Sequence, residues 1–307
     1  MPDLTKNLLG NTRLNVTRLS FGAMEIRGVP RGRDITPKQA DTILNAVLDA
    51  GINYIDTSID YGTSEEFIGR FISHRRDEFF IASKCGCKVG APPAPQPGPS
   101  AHEFTRKNVI EGVEQSLRRM KIDYMDVVQF HMSPSMETLH EDGALEALQE
   151  LQQQGKVRHI GMSGTLPNLL EHIDSGAFAV LQIPYSALER RHEDLISLAA
   201  AKGIGNVIRG GVAKGEPGES GGDGRVSWDP FEQAKLGELL DIGESRTSFM
   251  LRFTISHPGM HTTIVGTLNP DHLQQNVAAV ERGPLPADVY AEAKKRMTEV
   301  GQVPAAS

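Results

Sequence analysis

Eight short apolar runs recur along the chain, most of them followed by a stretch with helical spacing, and this rhythm restricts the fold more than any other feature. The runs cover residues 18–22, 53–57, 79–83, 126–130, 158–162, 179–183, 206–209 and 262–265. Several, such as FFIAS and DVVQF, are apolar without alternation, the pattern of strands covered on both faces. Between them lie helical patterns. Thr36 and Pro37 open one as N-cap and first-turn proline, and Ala40, Ile43, Leu44, Val47 and Leu48 form its stripe. Residues 108–121 carry Val109, Val113 and Leu117; residues 141–154 carry Leu145, Leu148 and Leu151 and stop at Gly155. Two more span 193–202, ending at Gly203, and 245–257, ending before Pro258. Alternation repeated eight times predicts an α/β protein whose parallel strands close into a (β/α)8 TIM barrel. At 307 residues, one barrel domain accounts for the whole of 1–307. Residues 7–17 read as a short N-terminal β-hairpin plugging the barrel floor.

Two segments break the rhythm. Residues 89–100, VGAPPAPQPGPS, are too rich in proline for a helix or a central strand, and residues 210–224 are rich in glycine. Both follow strands, so both belong to the C-terminal mouth of the barrel, where chemistry occurs. Contact with a ligand and plain solvation are equally open for each.

Composition excludes several classes. With 39% hydrophobic and 23% charged residues, the chain is neither disordered nor fibrous. A formal net charge of -7 gives no global attraction for nucleic acid or an anionic membrane. No run approaches the ~18 apolar residues of a membrane span, and the opening MPDLTKNLLG lacks the pattern of a secretory signal. Cys85 and Cys87 are separated by one residue, too close for a relaxed disulfide or a zinc pair. A reducing, cytoplasmic setting is expected.

The chemistry concentrates in GINYIDTSIDYGTSEEFIG, residues 51–69. Asp56 sits near the end of one expected strand and Tyr61 in the loop after it; Lys84 ends the next strand and His131 the one after. Barrel closure brings such strand ends together. Each alone is ordinarily a cap, turn or surface residue; their order carries the inference. Together they suit carbonyl reduction, in which hydride arrival puts negative charge on oxygen and an acid must supply a proton. Tyr61 can be that acid, with Lys84 expected to lower its pKa from about 10. Asp56 can hold Lys84, and His131 can donate a hydrogen bond to the carbonyl oxygen. This chemistry needs no metal, and His159, His172 and His192 show no metal-ligand spacing. Cys85 and Cys87 are read as packing residues, and Trp228 as either a pocket wall or a surface anchor.

IDTSIDYGTSEEFIG, IASKCG and DVVQFH resemble the signature, lysine strand and histidine strand of the aldo-keto reductases. The likeness runs from about residue 14 to 279 and includes SFGAM, GKVRHIGMSG, LQIPYSALER and TIVGTLNPDHLQQN. The resemblance implies an NADP(H)-dependent enzyme, with NAD(H) possible, that interconverts small carbonyls and alcohols. Tyr61 is then the general acid, Lys84 and Asp56 its tuning pair, and His131 the orienting residue. It further implies that Ala23 and Met24 lie beside the nicotinamide ribose, that Ser163 and Gln182 contact the carboxamide, and that Tyr185 stacks on the nicotinamide. Arg209, Gly210, Gly211 and Ala213 match the pyrophosphate loop, and Gly266, Thr267, His272, Gln275 and Asn276 the adenosine-phosphate end.

Departures from the family pattern are Gly164 where Asn is common, His272 where Arg is common, and IRGGVAKGEPG in place of a Pro-Leu-Gly pattern. Two other readings compete. One is a cofactor-sensing regulatory protein on the same fold, as the potassium-channel β subunits resemble. The other is an unrelated barrel such as a metal-dependent hydrolase.

Overall fold

The computed structural model describes residues 4–91, 101–215 and 227–305. A two-stranded antiparallel hairpin, β1 (Lys6–Leu8) and β2 (Asn15–Thr17), comes first. Then follow β3 (Leu19–Gly22), β4 (Tyr54–Asp56), β5 (Phe80–Cys85), β6 (Met125–Phe130), β7 (Val157–Ser163), β8 (Val180–Pro184), β9 (Gly205–Arg209) and β10 (Thr262–Val265). These eight are parallel, pair in chain order and close where β10 joins both β9 and β3. The (β/α)8 barrel with its N-terminal hairpin is therefore the fold, and each expected strand is present within a few residues of its expected bounds.

The hairpin packs into the barrel floor. Leu9, Leu14 and Val16 join the inward-facing Tyr54, Ala82, Val127, Val180 and Val207 in one buried cluster, distinct from the larger core between strands and helices. Gly205 permits this approach, because a Cβ there would lie 2.6 Å from Leu9 Cγ.

Among the described residues, eleven α-helices surround the strands: α1 (Pro37–Asp49), α2 (Ser64–Phe71), α3 (Arg106–Met120), α4 (Met136–Glu141), α5 (Ala144–Gln153), α6 (Leu169–Ser175), α7 (Glu193–Ala201), α8 (Asp229–Gln233), α9 (Arg246–Ile255), α10 (Pro270–Glu281) and α11 (Ala287–Glu299). α1 starts as its sequence demands: Thr36 accepts from the Gln39 N–H, Gln39 reaches back to Thr36 N, and the five expected apolar residues are buried. The single helix expected over 141–154 is instead α5, set off from α4 by Asp142 and Gly143. Trp228 is buried against Phe231, with ring centroids 5.4 Å apart, so it is neither a pocket wall nor a surface anchor. Residues 92–100 of the proline-rich loop and 216–224 of the glycine-rich loop lie outside the described residues.

Candidate active site

The ends of β4, β5 and β6 bring three ionisable groups to the mouth. Register sets Asp56 beside Ala82, and Lys84 beside Gln129. Lys84 Nζ donates to Asp56 Oδ2 at 2.7 Å and to the Thr57 carbonyl at 2.7 Å, and both charged side chains are buried. The second carboxylate oxygen, Asp56 Oδ1, accepts from Gln182 Nε2 at 2.7 Å and Gln129 Nε2 at 3.3 Å. Two charges removed from water need this many partners to be tolerated. Burial pulls the Lys84 pKa down, but Asp56 and the neighbouring Tyr61 outweigh it and hold the ammonium above its usual range.

Tyr61 lies in the turn between β4 and α2, where its N–H donates to the Ser58 carbonyl. The next residue, Gly62, has φ +44, and a Cβ there would come within 2.1 Å of the Arg27 carbonyl oxygen. Only glycine lets this turn sit against the loop after β3. The Tyr61 ring rests over Lys84, whose Nζ is 4.8 Å from the ring centroid. The expected lowering of the Tyr61 pKa is not what the site produces. Burial raises it above the ordinary value and prevails over the opposing pull of Lys84, while Asp56 and Asp60 add to the rise. The phenol is therefore neutral around neutral pH.

His131 follows β6, and its backbone N–H donates to the Cys85 carbonyl at 3.1 Å. Its Nδ1 faces Cys87 Sγ at 3.2 Å and His102 Nε2 at 3.4 Å. Burial pushes its pKa down to about 3, so the ring is neutral. Its ring stands edge-on to Tyr61 at 6.4 Å. A neutral phenol above a buried ammonium, with a neutral imidazole opposite, can deliver a proton and a hydrogen bond to one oxygen.

These groups floor one end of a cavity of about 1390 Å³. Asp56, Tyr61, His131, Met24, Ser163, Gln182, Arg209, Gly210, Gly211, Gly266, Thr267, His272, Gln275 and Asn276 all line it. Lys84 lies beneath its wall. Three expected cofactor residues are elsewhere. Ala23 is fully buried, its carbonyl accepting from Ser64 Oγ at 2.9 Å, and Ala213 is buried as well. Tyr185 points into the helix layer: its hydroxyl pairs with Tyr290 of α11 at 2.9 Å and its ring stacks on Phe253 of α9. The expected stacking of Tyr185 on a nicotinamide does not fit that placement.

The far end of the cavity suits anions. Ser245, Thr247 and Ser248, at the start of α9, and Asn269 and His272, at the start of α10, line it. Helix N-termini offer unpaired N–H groups and a positive dipole end. Thr247 Oγ1 is buried there with no hydrogen-bond partner among the described residues, which fits a phosphate-bearing cofactor. Sequence reasoning missed Gln129, Thr247 and Arg282, which also lines this end. Only Gln129, a polar residue between the apolar Val128 and Phe130, left a signal.

The family model for the aldo/keto reductase family matches residues 18–296. The chain belongs to this family. Its resemblance to the family's signature strands is thus part of a match over nearly the whole chain. Among solved structures, the holo form of aldo-keto reductase AKR11C1 from Bacillus halodurans superposes with a TM-score of 0.80 at 28% identity, covering 95% of this chain and 96% of that one. L-galactose dehydrogenase of Arabidopsis thaliana is 27% identical, over 91% of this chain and 89% of the relative. A probable voltage-gated potassium channel subunit beta of the same plant is 25% identical, over 90% and 91%. Aldo-keto reductases are oxidoreductases that use nicotinamide cofactors. Among the described residues of this aldo-keto reductase, no helix is long and apolar enough to cross a membrane.

Proposed function

We propose that the protein reduces a small aldehyde or ketone to the alcohol, or runs the reverse reaction, with NADP(H) as the preferred cofactor and Tyr61 as the proton donor. The observation that carries this reading is Tyr61, a neutral phenol lying over the Asp56–Lys84 pair in the wall of a cavity of about 1390 Å³. Bound NADPH supplies the hydride. Tyr61 gives its hydroxyl proton to the substrate oxygen, and Lys84 stabilises the tyrosinate left behind until solvent restores the proton. With Nδ1 turned to Cys87 and His102, His131 has Nε2 left to donate to the same oxygen. Ser163 and Gln182 would hold the carboxamide, and the N-termini of α9 and α10 the phosphates. His272, half-buried on that wall, would be the contact for a 2′-phosphate, weaker than a guanidinium.

The test combines steady-state NADPH oxidation over a panel of aldehydes and ketones with fluorescence-quench titration of NADPH and NADH. Turnover and modestly tighter NADPH binding are expected, with His272→Arg widening the margin. Tighter NADH binding by the natural protein would overturn the NADP(H) preference. The likeness to channel β subunits supports a second reading, a cofactor sensor. Cofactor binding without turnover on any carbonyl would favour it.

A further inference from the structure

His131, beside the proposed proton donor, serves the proposed reduction through Nε2 and turns its Nδ1 to two side chains which that chemistry does not use, Cys87 and His102. Cys87 Sγ is 3.2 Å from His131 Nδ1 and 3.6 Å from His102 Nε2, and the two ring nitrogens are 3.4 Å apart. Among the described residues this is the one group of three or more Cys, His, Asp or Glu whose donor atoms gather closely enough to hold a metal ion. We infer that Cys87, His102 and His131 form a binding site for a thiophilic divalent transition metal such as zinc.

The edge lengths support the inference. A tetrahedral zinc holds sulfur at about 2.3 Å and imidazole nitrogen at about 2.0–2.1 Å, which sets a sulfur and a nitrogen about 3.5 Å apart and two nitrogens about 3.4 Å apart. The observed triangle has nearly the dimensions of one face of that tetrahedron, so binding needs little rearrangement. The backbone fixes all three ligands. Cys87 and His102 face each other across an isolated antiparallel bridge, bounded by hydrogen bonds from Glu103 N to Gly86 O at 2.8 Å and from Lys88 N to Ala101 O at 2.8 Å. His131 is tied to Cys85 through its N–H. One thiolate and two imidazoles suit zinc, cobalt or copper rather than magnesium or calcium.

On binding, the Cys87 thiol releases its proton to solvent and the sulfur bonds to the metal. The thiolate supplies one negative charge, and the Asp60 carboxylate, 3.9 Å from His131 Nδ1, places a second beside it. Lys84 and Arg209 oppose this with positive charge. Three ligands leave a fourth position for water or a small donor. A metal on Nδ1 also obliges His131 to carry its proton on Nε2. That consequence concerns the proposed reductase; the metal site itself does not rest on it.

The experiment uses the full untagged chain, chelator-stripped, reduced and free of nicotinamide, so a failure of the reductase reading leaves it untouched. Co²⁺ titration should give a sulfur-to-cobalt charge-transfer band and strong visible bands saturating at one equivalent, and Zn²⁺ should displace them. Cys87→Ser should abolish the charge-transfer band, while Cys85→Ser, which changes the other buried cysteine, should leave it intact. His102→Gln should weaken binding by more than the roughly 10–100-fold typical of losing an outer-shell partner, with thermal melting confirming the fold. If Cys87→Ser does not fold, His102→Gln decides. Absence of the band at stoichiometric Co²⁺, its survival in Cys87→Ser, or unchanged affinity in folded His102→Gln would overturn the site.

Discussion

Tyr61 faces two opposing influences, and burial prevails over the ammonium of Lys84. The phenol stays protonated until pH exceeds the ordinary tyrosine range, so reduction should be level through neutral pH and fall only in strong alkali. Tyr61→Phe removes one hydroxyl. Hydride transfer in single-turnover NADPH oxidation should fall by roughly 10²–10⁴-fold, with little change in melting temperature; an unchanged rate would remove Tyr61 as the acid. Lys84→Met acts differently. It leaves Asp56 buried with only the amides of Gln182 and Gln129, an uncompensated charge that should cost about 3–5 kcal/mol in denaturant unfolding. Adding Asp56→Asn should recover much of that stability without restoring turnover. The convergence of Asp56, Tyr61, Lys84 and His131 was legible because strand ends in a parallel barrel meet by construction. The Tyr61 shift was not, since its sign depends on how much burial opposes Lys84. Tyr185 misled because YSALER follows a strand, while the sequence does not say which layer a side chain after that strand enters.

Elements were legible in proportion to how completely they are buried. Parallel strands sealed on both faces leave apolar runs, and the eight runs carry that mark. Helices α2, α4, α6, α8, α10 and α11 went unread. α11 buries only Ala293 and Met297 fully, so its stripe is faint, and α2, α4, α6 and α8 are short. The hairpin was legible over residues 7–17, and its packing makes it testable. Leu9 is fully buried, in one cluster with inward-facing residues of β4, β5, β6, β8 and β9. Leu9→Ala should destabilise the protein by about 2–5 kcal/mol in urea unfolding. The cavity wall lies at the other end of the barrel, so NADPH affinity in the folded variant should be unchanged. A loss below about 1 kcal/mol would mean the hairpin only covers the floor and does not fill it.

At the scale of the whole molecule, histidine burial sets the response to acid. The pKa of His131 is pushed down to about 3 and that of His192 to about 4, and His159, His172, His257 and His261 are also held below their ordinary value, burial being the main cause each time. His192 Nε2 accepts the Leu166 N–H at 3.2 Å, a bond that protonation there would forbid. In the unfolded chain these rings bind protons near pH 6.5; in the native state they do so only at lower pH. Between those limits the unfolded state holds more protons, so stability rises with pH and is lost as pH falls below about 6.5. Glu65 works the other way, since burial raises its pKa and native protonation comes early, but it is one group against six. Easing of the net charge of -7 on acidification also favours the fold, yet surface repulsion is screened by salt and buried groups are not. The histidines should therefore prevail. Melting temperature at constant ionic strength should be level from pH 8 to about 7 and decline steadily from about 6.5 to 5. The proton uptake measured on unfolding within that lower window should be positive. A melting temperature that holds or rises down to pH 5 would mean that these rings accept protons in the native state. His131 could then not be counted neutral beside Tyr61.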